Sequence, residues 1–353
     1  MKVVLSLAFI LFFVTSCKQE NKVKNSVSSI AKGKMPSLAT DKNKNVHIVF
    51  GSGDSLLYVY SIDGGKTFSA PTLIDTVTSL VANATRGPQV AITANGIAVI
   101  AVNNSGNLYS FTKHTGDAWK RTGTINDEPA VDKEGFSGLS SNGDHLFAIW
   151  TDLRHDQRNK IFGAQSSNGG QTWSRNILVY ASPDSTVCEC CKPSVAMQGD
   201  NVYVMFRNWL DGNRDLYVIQ SADGGNSFGK AEKLGYGSWK LDGCPMDGGG
   251  LAVNDNGDVQ TVWRRESKIY AAEAGKLEKA LGEGKGCSIA IVNERNVYAW
   301  TNKDGNIVCH SSDGTNKVIG KGSLPLVKAI GRDAVVCVWQ DEDRIMRSIV
   351  GIR

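Results

Sequence analysis

Ser61-Ile62-Asp63-Gly64-Gly65-Lys66-Thr67-Phe68 returns as Ser166-Ser167-Asn168-Gly169-Gly170-Gln171-Thr172-Trp173 and again as Ser221-Ala222-Asp223-Gly224-Gly225-Asn226-Ser227-Phe228. A worn copy, Ser311-Ser312-Asp313-Gly314, follows later. Each octet reads as a tight hairpin. The carboxylate or amide at its third position can cap the backbone N–H groups of the loop. The glycines accept positive φ. The closing aromatic is placed to plug a gap between neighbouring sheets. Asp63, Asn168 and Asp223 are therefore read as structural rather than catalytic.

Working outward, each octet sits in a run of short, β-branched, alternating segments. In the first unit, 36–39, 46–50, 56–60 and 71–74 read as four antiparallel strands, with the octet between the third and fourth. The order restarts near Gly87, Phe136, Cys191, Cys244, Gly286 and Leu324. The matching second strands are 97–101, 146–150, 202–206, 259–263, 297–300 and 335–339. A repeat of about 40 residues with four strands is the signature of a propeller blade. The expected fold is an all-β propeller with the octet hairpins on one face. Seven blades are favoured and six are the alternative. The seventh unit reaches Arg353 without room for a fourth strand. The strand-like segment 26–31 is placed to supply it and close the ring. Trp150, Trp263 and Trp339 end second strands and read as plugs between blades.

The octet matches the Asp-box, Ser-x-Asp-x-Gly-x-Thr-Trp, and with the strand order it resembles the sialidase (BNR-repeat) superfamily over nearly all of the chain after its leader. The resemblance implies a propeller fold and an anionic or glycan ligand. In that family three arginines hold the substrate carboxylate, a Tyr activated by Glu is the nucleophile, and an Asp is the general acid, an exception among glycosidases. The first arginine lies in an Arg-Ile-Pro stretch before the first Asp-box; here Lys32-Gly33-Lys34-Met35-Pro36 stands there. No Tyr–Glu pair is matched. The reading is therefore a ligand-binding propeller that is sialidase-like in fold. The alternatives are an exo-sialidase or other glycoside hydrolase, and a copper- or zinc-binding envelope protein.

The amino terminus sets the compartment. Met1-Lys2, a run from Val3 to Val14 that is apolar apart from Ser6, and Val14-Thr15-Ser16-Cys17 form a secretory leader too short to span a bilayer. The last four residues resemble the bacterial lipobox. That resemblance implies cleavage after residue 16 and lipidation of Cys17, with Lys18 directing the protein to the outer membrane. Residues 17–33 have linker composition, and 34–353 read as one propeller domain. The net charge of +4 gives no reason to expect nucleic acid. A monomer is expected.

In a four-stranded meander the 2→3 and 4→1 loops share the face opposite the octet hairpins, and function is expected there. That face collects Arg154, Arg207 and Arg264 from separate blades, together with Asp152, Asp215 and Asp247. These six are the candidate ligand-binding residues. Guanidinium forks suit carboxylates; pairing with the neighbouring Asp residues is the competing reading. His155 reads as a solvated loop residue.

The face also collects Cys188-Glu189-Cys190-Cys191 and Cys244-Pro245-Met246, from adjacent blades. Exported proteins meet oxidising conditions, so a disulfide from Cys244 to one of the other three is one reading. A soft-metal site built from these thiolates and the Met246 thioether, holding copper or zinc, is another, and a reactive thiol is the third. The sequence does not choose between them. With Cys17 lipidated, seven cysteines remain, so at least one is not in a disulfide. Cys309 and Cys337 fall in apolar strand patterns and read as small buried hydrophobes.

Overall fold

A computed structural model describes residues 27–184 and 186–352. Cys17 and the leader lie outside the described residues, as does Ser26. The described chain contains no helix long and apolar enough to cross a membrane. Its strands form seven antiparallel sheets arranged as a propeller, and the six-blade alternative is set aside.

Blade one is Lys34–Thr40, Val46–Ser52, Ser55–Ser61 and Thr72–Thr76. Blade two is Gln89–Ile92, Gly96–Val102, Leu108–His114 and Lys120–Thr124. Blade three is Ser137–Asn142, His145–Asp152, Lys160–Ser166 and Ile177–Tyr180. Blade four is Ser194–Gln198, Asn201–Leu210, Asn213–Ser221 and Glu232–Lys233, with an extra short strand, Thr186–Val187. Blade five is Gly250–Val253, Val259–Arg265, Lys268–Glu273 and Lys279–Glu283. Blade six is Lys285–Val292, Arg295–Thr301, Asn306–Ser311 and Asn316–Lys321. Blade seven takes Ser323–Ala329, Ala334–Asp341 and Arg344–Gly351 from the end of the chain and Ser28–Lys32 from its start. Ser28 lies opposite Arg347 and Lys32 opposite Arg344, so the ring closes by strand pairing. Each first strand packs against the first strand of the next blade, and that of blade one meets that of blade seven.

The core lies in the seams between blades, which is why second strands are apolar on both faces. Gly96–Val102 is buried at six of its seven positions. Trp150, Trp263 and Trp339 are buried in these seams, as their positions at strand ends imply. Trp339 sits in a cluster that spans blades six and seven, with Val335, Cys337, Val297 and Cys309. Its indole N–H donates to the Lys321 carbonyl at 2.6 Å. It lies so close to the backbone that a Cβ on Gly320 would come within 2.4 Å of it. A buried side chain of this size contributes roughly 1.5–3 kcal/mol.

The octet hairpins follow one hydrogen-bond plan. Ser61 Oγ donates to Asp63 Oδ1 at 2.7 Å and accepts from Gly65 N at 2.8 Å. Asp63 Oδ1 accepts from Lys66 N and Thr67 N, both at 2.9 Å. Ser166, Asn168 and Thr172 repeat the plan, as do Ser221, Asp223 and Ser227. The closing aromatics enter seams. Phe68 joins the cluster between blades one and seven, Trp173 that between two and three, and Phe228 that between three and four.

Two first strands begin later than the sequence reading placed them. They open at Ser194 and Gly250, not at Cys191 and Cys244. Pro193 and Pro245 lack the N–H a ladder needs, and the chain between Cys244 and Gly250 stays irregular. Both cysteine stretches are therefore loops above the strands.

Candidate functional site

The loops between blades four and five gather the sulfurs. Thr186–Val187 pairs with Trp209 and Asn208, extending the second strand of blade four toward its open face. Cys188 N then donates to Arg207 O at 2.9 Å, and Cys191 N turns back to Cys188 O. That turn stacks the thiols: Cys188 Sγ is 3.2 Å from Cys191 Sγ and 3.6 Å from Cys190 Sγ. All three residues are buried. Cys190 is joined to Cys244 by a disulfide that ties blade four to blade five. Cys188 and Cys191 are free thiols, as are the buried Cys287, Cys309 and Cys337. The hydrogen bond shared with Cys191 and the guanidinium of Arg214 push the Cys188 thiol down, while burial and the neighbouring thiol push Cys191 up.

The arginines are committed to the fold. Arg154 makes a two-pronged ion pair with Asp152, at 2.9 and 2.8 Å, and reaches Asp127 at 3.0 Å. Asp152 also accepts the Trp150 indole N–H at 2.8 Å. Arg207 is buried and donates to three backbone carbonyls: Asp247 at 3.0 Å, Arg214 at 2.6 Å and Arg264 at 2.9 Å. Among the described residues it has no carboxylate partner. Arg264 donates to the carbonyls of Glu266 and Pro245. Arg207 and Arg264 both lie against the Trp239 ring, at 5.4 and 5.3 Å. Arg154 shares no partner with them. The structure thus brings two of the three arginines together and leaves the third in its own ion-pair network.

Asp215 accepts from Trp239 N at 2.8 Å and pairs with Lys233 at 3.1 Å. Asp247 accepts from Gly286 N at 2.8 Å and Gly249 N at 3.3 Å, linking blades five and six. His155 is exposed in its loop.

The open feature is the axial channel. A cavity of about 240 Å³ lies on the ring axis and is walled by all seven first strands. Lys192, the residue after Cys191, and Lys328 of blade seven line it. Lys192 Nζ donates to Gln89 Oε1 at 2.7 Å. Among the described residues neither lysine forms an ion pair. Burial, and then the nearby Lys328 amine, push Lys192 down to about 8. Burial among the channel strands also lowers Lys328, although its side chain is exposed along the channel. Sequence reasoning missed both lysines. Their one signal was a charge at the mouth of a first strand (Lys192) and inside an otherwise apolar one (Lys328).

It also missed Asp132. This carboxyl is buried beside Thr151 and accepts from Gly135 N at 3.0 Å; among the described residues its Oδ2 has no hydrogen-bond partner. Burial pushes it up to about 8, and the Asp152 charge adds to the shift.

No family model and no curated sequence matches the chain. Solved structures do match. A lectin from Burkholderia pseudomallei superposes with a TM-score of 0.67 at 10% identity, over 91% of this chain and 96% of the lectin. A polysaccharide lyase, an ulvan lyase bound to a GlcA(1-4)Rha3S unit, gives 0.60 at 12% identity, over 93% and 96%. The NanB sialidase from Streptococcus pneumoniae gives 0.48 at 12% identity, over 90% and 68%, too loose to bear on chemistry. At these identities the likeness is one of fold.

Proposed function

We propose that this protein binds an anionic ligand, the acidic end of a glycan, in the mouth of the axial channel. The observation that carries this reading is the pair of lysines, Lys192 and Lys328, facing one cavity and in no ion pair among the described residues, while the one carboxylate in its wall, Asp247, is held by the N–H groups of Gly249 and Gly286. Two amines confined together repel. A carboxylate or sulfate placed between them removes that repulsion and gains charge-assisted hydrogen bonds. Gln89, already hydrogen-bonded to Lys192, offers an amide beside it for a sugar hydroxyl. The carbohydrate class takes support from the lectin and the polysaccharide lyase that share the fold.

The reading moves the ligand site from the arginines to the channel, because each arginine is already bonded to protein. The role proposed is binding. The resemblance of Val14-Thr15-Ser16-Cys17 to a lipobox supports a propeller anchored through Cys17 on the bacterial envelope, facing glycans outside the cytoplasm. The test is a glycan array probed with the purified chain. Binding to uronate- or sulfate-bearing glycans, with none to their neutral counterparts, supports the proposal. Equal binding to neutral glycans overturns it.

A further inference from the structure

Four sulfurs meet at the seam of blades four and five, and the anion reading uses none of them. Cys188, Cys190 and Cys191 are 0%, 5% and 1% exposed, and each pair of their sulfurs lies within 4.8 Å. The fourth sulfur, that of Cys244, is bonded to Cys190. Two thiolates held about 2.3 Å from one tetrahedral ion stand roughly 3.8 Å apart. The Cys188–Cys191 and Cys188–Cys190 separations of 3.2 and 3.6 Å are close to that edge without being bonds.

The surroundings suit thiolates. Arg214 Nη1 donates to Cys188 Sγ at 3.1 Å and also to Glu189 Oε2 at 3.0 Å, and Nη2 donates to Glu189 Oε1 at 3.1 Å. Arg207, buried and without a carboxylate partner among the described residues, accepts the Cys188 N–H on its carbonyl at 2.9 Å. A monovalent ion bound by three or four thiolates keeps net negative charge, and these guanidiniums offset it. Hard ligands are withheld: both oxygens of the nearby Asp247 are engaged by backbone N–H groups. A sulfur-only donor set selects a soft cation. Cys244 is the exposed member of the group.

We propose that Cys188, Cys190, Cys191 and Cys244 form a Cu(I) site that opens when the Cys190–Cys244 disulfide is reduced. A dithiol reductant passes two electrons and two protons to the sulfur pair and becomes a disulfide itself. Cys190 and Cys244 become thiols. Cu(I) then binds the sulfurs and displaces thiol protons to solvent. With the disulfide closed only Cys188 and Cys191 remain, enclosed behind it. The site is independent of the channel lysines, so either proposal stands if the other fails.

The test is anaerobic competition for Cu(I) between the full chain and a chromophoric Cu(I) chelator. The chain is used with its disulfide intact, or after treatment with a dithiol that is then removed. The reduced chain is expected to take copper from the chelator, with at least about 100-fold weaker binding by the oxidised chain. Cys188→Ser is expected to lose this binding in the reduced state. Cys244→Ser leaves Cys190 free without any reductant, and is expected to bind Cu(I) with no reduction step. This second variant changes an exposed loop residue, so it remains informative if Cys188→Ser does not fold. Copper left with the chelator in both states overturns the site. Equal binding in both states overturns the gating. Zn(II) displacing Cu(I) at equal concentrations overturns the choice of metal.

Discussion

Replacing Lys192 with Met tests whether the channel holds an uncompensated positive charge. Lys192 is pushed from an ordinary 10.5 down to about 8 by burial and by Lys328. At 1.36 kcal/mol per pH unit that displacement corresponds to roughly 3 kcal/mol. The amine is only partly buried and water reaches the channel, so the working figure is about 1–2 kcal/mol. Below pH 8 the folded and unfolded chains both carry the proton, and the folded state bears the whole cost. Between about 8 and 10.5 the folded chain has released its proton while the unfolded chain retains it, so stability rises with pH. Above 10.5 neither state is charged and the cost is gone. Lys192→Met keeps most of the apolar stem, removes the charge, and gives up one hydrogen bond to Gln89. Urea unfolding at pH 7 should therefore show the variant more stable than the parent by about 1 kcal/mol after that lost bond is counted. The advantage should vanish or reverse by pH 10. A variant less stable at pH 7, or one with the same advantage at both pH values, refutes the reasoning.

Asp132→Asn removes a carboxyl that stays protonated in the fold up to about pH 8 but ionises near 3.8 when unfolded. The parent should lose stability as pH rises from about 4 to 8, and the variant should not; denaturant midpoints across that range report the difference. Arg207→Ala leaves three buried carbonyls at the seam of blades four and five without their donor, and should cost about 3–5 kcal/mol in urea unfolding. Arg207→Lys should cost less, since the charge and part of the bonding survive. Cys17→Ser should move the protein from the membrane fraction to the soluble fraction of cells, with the propeller's thermal unfolding unchanged.

How much of this was legible in sequence depended on the range of each interaction. The octet hairpins were readable because their bonds close within four residues: Ser61 to Gly65, Asp63 to Thr67. Ring closure was readable because a strand-like segment stood before the first blade and the last blade was one strand short. The aromatic plugs followed from their position at strand ends. The arginines were harder. Arg154 finds Asp152 two residues away, but its second carboxylate, Asp127, is 27 residues distant. Arg207 is held by main-chain carbonyls, which carry no residue signature. Lys192 and Lys328 meet only because the ring brings blades four and seven to a common axis. Nor was the partner of Cys244 readable, since three cysteines within four residues were equally placed in sequence. The late openings at Ser194 and Gly250 came from prolines that the apolar pattern alone had not weighed.

The central claim, that paired channel amines bind an acidic ligand, is tested most directly by calorimetric titration of an acidic oligosaccharide into the parent chain and into the Lys192→Met/Lys328→Met double variant. The account predicts saturable binding to the parent at pH 7, weakening as pH rises past 8, and no detectable heat with the double variant. Undiminished binding by the double variant would contradict it.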